Sequence, residues 1–153
     1  MKTQITHDTF TIDRTFRADR ARAFRAWTSA DEKRKWFVGP AGRWTEVRRE
    51  VDFQVGGQEV LVGSFSVGGS SGFFATFQHI VDQTRIVYSY RMFVDEELLS
   101  VSLVTVEFAD SGTGCQTKFT EQAVYFGDAT HAANRLQGSQ MLMDNFINSL
   151  EKE

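Results

Sequence analysis

The chain has 153 residues, 41% hydrophobic and 24% charged, with a formal net charge of −3 and a pI near 5.6. That length suits a single domain, residues 1–153, with a sizeable core. The mild acidity excludes a general attraction to nucleic acid or an anionic membrane surface. The single cysteine, Cys115, excludes an intramolecular disulfide and suits a reducing cytoplasm. With no apolar run near the ~20 residues of a membrane span and no signal-like core in MKTQITHDTF, the expectation is a cytoplasmic chain without membrane insertion.

The stretch TFTIDRTFR alternates, with Phe10, Ile12 and Phe16 on one face, and predicts a strand over 9–17. Two short helices follow. The first runs from an Asp19 cap through Trp27; the second opens on Ser29-Ala30-Asp31-Glu32, a capping box, and ends near Phe37, before Gly39-Pro40. From 44 to 126 the pattern is strand after strand. WTEVRREVDFQV turns at Gly56-Gly57 into QEVLVGSFSV, and GGSSG leads to FFATFQHIV. RIVYSYRMFV, LLSVSLVTVEF and CQTKFTEQAVYF complete six meander strands, with turns at Asp82-Gln83, Asp95-Glu96 and Asp110-Ser111-Gly112. After Asp128 the period changes: Ala129, Ala132, Leu136, Ser139, Met143, Phe146 and Leu150 share one face of a helix of about 20 residues, some 30 Å long. Gly138 falls in its middle, at about 1 kcal/mol relative to Ala, and lets something approach the helix backbone closely.

About seven antiparallel strands, two short helices and one long helix make an α+β chain in which the long helix covers one face of a curved sheet. A helix too narrow to fill that concavity leaves a cavity. The stretches FTIDRTFRADRARAFRAWTSADEKRKWF, VDFQVGGQ, FQHIVDQTRIVYSY, TKFTEQAVYFGD and RLQGSQMLMDNFINSLEK carry a resemblance in the right order over 10–151. The chain resembles the activator of heat-shock-protein-90 ATPase homologue family, within the START/polyketide-cyclase-like superfamily that also holds the birch pollen allergen. The resemblance implies a helix-grip fold, and a function among binding of lipids or hydrophobic metabolites, polyketide cyclisation and stimulation of a chaperone ATPase. Fold alone does not choose among these. Asp19, Ala30 and the Val81-Asp82-Gln83 turn stand where that family usually has proline.

His7, His79 and His131 lack ligand spacing, so no metal and no cofactor are expected. Gly68-Gly69-Ser70-Ser71-Gly72 matches a nucleophile elbow only formally, because strands flank it on both sides. Arg14 shares the phase of Phe10, Ile12 and Phe16, and Glu121 that of Cys115, Phe119, Ala123 and Tyr125. In a helix-grip sheet their strands are neighbours. The two form a structural ion pair or a polar anchor inside the cavity, or one strand is bulged and its charge faces solvent. Arg49 and His79 also fall in phase with apolar neighbours, a weaker version of the same signal.

Phe24, Trp27, Trp36, Phe37 and Trp44 sit where the short helices close one end of the sheet. With Phe77, His79, Tyr88, Tyr90, Met143 and Phe146 they are candidates for lining a ligand cavity. Composition does not separate core from pocket wall; the resemblance implies wall for Trp27, Trp36 and Phe37. The first expectation is a module binding a small hydrophobic or aromatic molecule. The second is a cyclase- or hydrolase-like enzyme using Arg14, Glu121 or His79. The third is a protein-docking domain for a chaperone, with a homodimer left open by the two sheet edges.

Overall fold

A computed structural model describes residues 3–151. The strands are β1 (Thr6–Phe16), β2 (Trp44–Val51), β3 (Gln58–Phe65), β4 (Ser70–Val81), β5 (Arg85–Val94), β6 (Glu97–Ser111) and β7 (Gly114–Tyr125). They form one antiparallel sheet in the order β1-β7-β6-β5-β4-β3-β2, a meander whose last strand receives the first. Along β6 and β7 buried and more exposed positions alternate, as period-two side chains require of a sheet with one covered face. The GGSSG turn is shorter than its sequence suggests: Gly68 and Gly69 make it in the left-handed region, and β4 is already paired at Ser70.

Helix α1 (Arg20–Thr28) starts as expected, with the Asp19 carboxylate accepting from Arg22 N at 2.8 Å. Helix α2 is only Ala30–Lys33, capped by Ser29, and does not reach Phe37. Beyond Lys33 the chain winds more tightly, with Lys35 N donating to Glu32 O and Trp36 N to Lys33 O, three residues back. The Trp36 Nε1–H, bonded to Ala26 O at 3.0 Å, ties this turn to α1.

Helix α3 (Thr130–Glu151) buries Ala132, Ser139, Met143, Phe146 and Leu150, all members of the expected face. It packs on β1 and α1, at one side of the sheet. The aromatic core lies beneath that contact: Phe146 meets Phe16, Trp27 and Trp36 at ring separations of 5.2–5.7 Å. Because α3 sits mainly over the β1 side, helices reach the concave face of β3, β4 and β5 through single side chains, Lys33 of α2 to Glu59 and Arg135 of α3 to Tyr90, and leave space over the rest. Among the described residues no helix is long and apolar enough to cross a membrane.

Candidate functional site

The space between α3 and the β3–β5 face is a cleft of about 1160 Å³. Its sheet side is aromatic: the Phe73 ring lies 4.7 Å from Tyr90 at a tilt and meets Phe37 edge-to-face at 5.0 Å, and Tyr88 lies alongside. Its helix side is a second stripe of α3, offset from the core stripe, with Asn134, Arg135, Gly138, Leu142 and Asn145 in the wall. The chain from Val38 to Ala41, between α2 and β2, forms one lip. Arg49 holds that lip in place, donating from one guanidinium nitrogen to Phe37 O and from Nε to Glu46, both at 2.7 Å.

Trp44 sits in a slot made by two glycines. A Cβ on Gly39 would fall 2.3 Å from the indole, and one on Gly63 1.9 Å from its Nε1. Only glycine lets the ring lie this close to both backbones. From there the indole N–H reaches Ser71 Oγ at 3.0 Å.

At one end of the cleft a charged group is built into the aromatic wall. Glu121 on β7 is 1% exposed, and its Oε2 accepts from Tyr90 OH at 2.7 Å, Ser102 Oγ at 2.7 Å and Arg135 at 2.8 Å. Arg135 also donates to Tyr90 OH at 2.7 Å and to Ser100 Oγ at 2.6 Å, and its guanidinium lies 5.3–5.4 Å from the Tyr90 and Tyr125 rings. Burial, and then the Glu121 charge, push ionisation of the Tyr90 phenol well above its ordinary range, so Tyr90 is a fixed hydrogen-bonding hydroxyl. Tyr88 is likewise held neutral, chiefly by burial.

A second buried pair lies at the aromatic corner. Lys33 Nζ bonds both oxygens of Glu59, at 2.7 and 3.0 Å, and sits 5.1–5.9 Å from the rings of Trp27, Trp36 and Phe37. Each of these two pairs is stabilised by surrounding donors or rings as well as by charge, which is what an ion pair removed from water requires.

The candidates from sequence divide sharply. Trp27, Trp36, Phe37 and Trp44 border the cleft, as do Tyr88, Tyr90 and Met143. Trp27 and Trp36 are also 3% and 2% exposed, so each is core on one side and wall on the other. Phe24, Phe77 and Phe146 are core and not wall: Phe24 packs on Phe53 and Phe108, Phe77 on Phe53, and Phe146 under the two tryptophans. His79 is exposed and accepts from Arg85 Nε. A bulge between Phe77 and His79 inserts Gln78 and turns the expected phase outward.

Arg14 and Glu121 do not meet. Arg14 lies opposite Thr117 while Glu121 lies opposite Phe10, four residues along the ladder or roughly 13 Å. Arg14 instead reaches Asp144 of α3 at 3.6 Å, where both are partly exposed. The true partner of Glu121 is Arg135. Glu121's inward phase called for a cation, but α3 could supply it only from a stripe beside the one marked as core. Lys33 and Glu59 were also missed. Glu59 shares the inward phase of Leu61, which was a usable signal; Lys33 was hidden in a charged run of the kind that usually faces solvent.

The comparisons with known proteins agree with this architecture. The family model described as Activator of Hsp90 ATPase homolog 1-like protein matches residues 17–151. An uncharacterized Rhizobium leguminosarum protein of known structure is 35% identical, with 98% of each chain covered and a TM-score of 0.92. A Rhizobium loti protein is 36% identical over 95% of this chain and 99% of its own, with a TM-score of 0.86. An AHSA1-like protein from Aeromonas hydrophila, 22% identical over 95% and 93% of the two chains with a TM-score of 0.72, shares the fold. No curated protein matches this chain.

Proposed function

Since this chain belongs to the Activator of Hsp90 ATPase homolog 1-like family, we propose that it binds a small hydrophobic or aromatic molecule in the cleft between the sheet and α3. The observation that carries this is the cleft itself: about 1160 Å³, walled by aromatic rings and carrying a few fixed polar groups at one end. Ligand sites of proteins have this make-up, apolar surface for affinity and sparse polar groups for orientation. The offset of α3 toward β1 supports the same reading, because a helix centred on the sheet would have filled the space with its own side chains.

A catalytic reading has less to stand on. Its candidates were Arg14, Glu121 and His79, and they are scattered: Arg14 at the surface with Asp144, His79 on the outer face with Arg85, and Glu121 neutralised by Arg135. Native mass spectrometry of freshly purified protein, beside a denatured aliquot, tests the binding reading. A co-purifying small molecule released on denaturation is the expected result. If the native mass is that of the bare chain and hydrophobic probes also fail to bind, the reading is wrong.

A further inference from the structure

We propose that the ligand is an uncharged aromatic molecule with a hydroxyl or N–H group, which it donates to Oε1 of Glu121. This rests on the binding reading above and specifies its ligand.

The first observation is how Glu121 is bonded. Tyr90, Ser102 and Arg135 all donate to Oε2, and among the described residues none donates to Oε1. A carboxylate has about four lone-pair sites, so a whole oxygen remains available. Glu121 belongs to the cleft wall while its side chain is 1% exposed to bulk solvent, so the cleft is the space from which a donor would come. A molecule seated at this end excludes water from Oε1. It must then donate a hydrogen bond itself or leave a charged acceptor dry, which is the costly case.

The second observation is charge. The charges of the wall are compensated: Glu121 pairs with Arg135, Lys33 with Glu59 behind it, and the more exposed Lys35 with Glu32. Both terminal nitrogens of Arg135 are already engaged, one by Tyr90 and Glu121 and the other by Ser100. On the helix side the wall continues with neutral amides, Asn134, Asn145 and Asn148. A charged ligand would lose its hydration without meeting an uncompensated partner, so the site favours a neutral one.

The third observation is shape. Phe73, Tyr88 and Tyr90 present ring faces and edges 4.7–6.3 Å apart, and Phe37 closes on Phe73 from the lip. Flat aromatic ligands match such a surface through stacked and edge-to-face contacts.

Isothermal titration calorimetry on the whole protein at neutral pH tests this with four probes sharing one ring system: naphthalene, 2-methoxynaphthalene, 2-naphthol and 2-naphthoate. The expected order has 2-naphthol binding at least about tenfold more tightly than naphthalene or 2-methoxynaphthalene, as one hydrogen bond to a charged acceptor provides, and 2-naphthoate weakest. The carboxyl carbon resonance of Glu121 should shift with 2-naphthol and not with 2-methoxynaphthalene. Equal affinity for 2-naphthol and its methyl ether, or a silent Glu121 resonance, overturns the donor assignment while leaving the binding reading intact. Tightest binding of 2-naphthoate overturns the neutral-ligand assignment and makes Arg135 an anion receptor. Failure of all four to bind overturns this inference; it overturns the binding reading as well only where native mass spectrometry also finds the bare chain.

Discussion

Lys33 shows how much one buried charge depends on its neighbours. Its ammonium has Glu59 on one side and the rings of Trp27, Trp36 and Phe37 on the other. Glu59→Gln leaves that ammonium buried without a counter-charge, and should destabilise the fold by about 3–5 kcal/mol in urea unfolding. Replacing both partners, Lys33→Met with Glu59→Leu, removes the charge and its desolvation together and should restore most of that loss. A double variant as unstable as the single one would show that the pair stabilises by more than mutual neutralisation. At this scale the sequence was half legible. Inward phase marked Glu121, and could have marked Glu59, because strand alternation is local. The cations that answer them, Arg135 and Lys33, lie 14 and 26 residues away on helices, where no periodicity of the strand points to them.

Among the elements, α3 carries two jobs on adjacent stripes. Ala132, Phe146 and Leu150 face the core, Arg135, Gly138, Leu142 and Asn145 face the cleft, and the buried Ser139 and Met143 border both. Gly138 stands out because a Cβ there would meet nothing within 4 Å. The protein's own packing therefore does not require glycine, and the bare backbone widens the cleft. Gly138→Ala should stabilise the empty protein by about 0.5–1 kcal/mol in urea unfolding, through helix propensity. The same substitution should weaken 2-naphthol in calorimetry, since its methyl occupies cleft space. Unchanged affinity would put the bound probe away from the α3 backbone. The element-level reading from sequence was otherwise close for strands and long helix, and failed where a bulge intervened. Gln78 bulges from β4 and Val47 from β2, so His79 and Val47 face outward against the simple alternation. A bulge depends on pairing with the neighbouring strand, and the strand's own residues do not announce it.

For the molecule as a whole, the aromatic interior ties stability to alkaline pH. All three tyrosines of the chain, Tyr88, Tyr90 and Tyr125, have phenols whose ionisation is shifted upward, with burial the largest cause in each and Tyr125 pushed up to about 12. The folded protein holds these protons more tightly than the unfolded chain. Stability is therefore undiminished below the unfolded tyrosine value near 10, and falls as pH climbs through it toward the folded values. The slope is about 1.4 kcal/mol per pH unit for each tyrosine still protonated in the fold. Tyrosinate absorbance followed beside circular dichroism should show no phenol titrating near pH 10 with the fold intact; ionisation and unfolding should come together at higher pH. A reversible tyrosinate signal near 10 in folded protein would mean that water reaches at least one of the three hydroxyls.

What the sequence determined by itself was the set of elements and their order. Period-two alternation, glycine turns and the 3.6-residue stripe of α3 follow from backbone geometry acting over a few residues, and they can be read without knowing what lies opposite. The same patterns, with five matching stretches, pointed to the right family. Tertiary structure alone decided where the cleft lies. The register of β1 on β7 keeps Arg14 roughly 13 Å along the ladder from Glu121. The seat of α3 over β1 brings Arg135 to Glu121 and leaves the cleft open over much of β3–β5. Both are set by contacts between residues distant in the chain. Whether Trp27 and Trp36 were core or pocket wall had no answer in sequence for that reason, and in the folded molecule each is both.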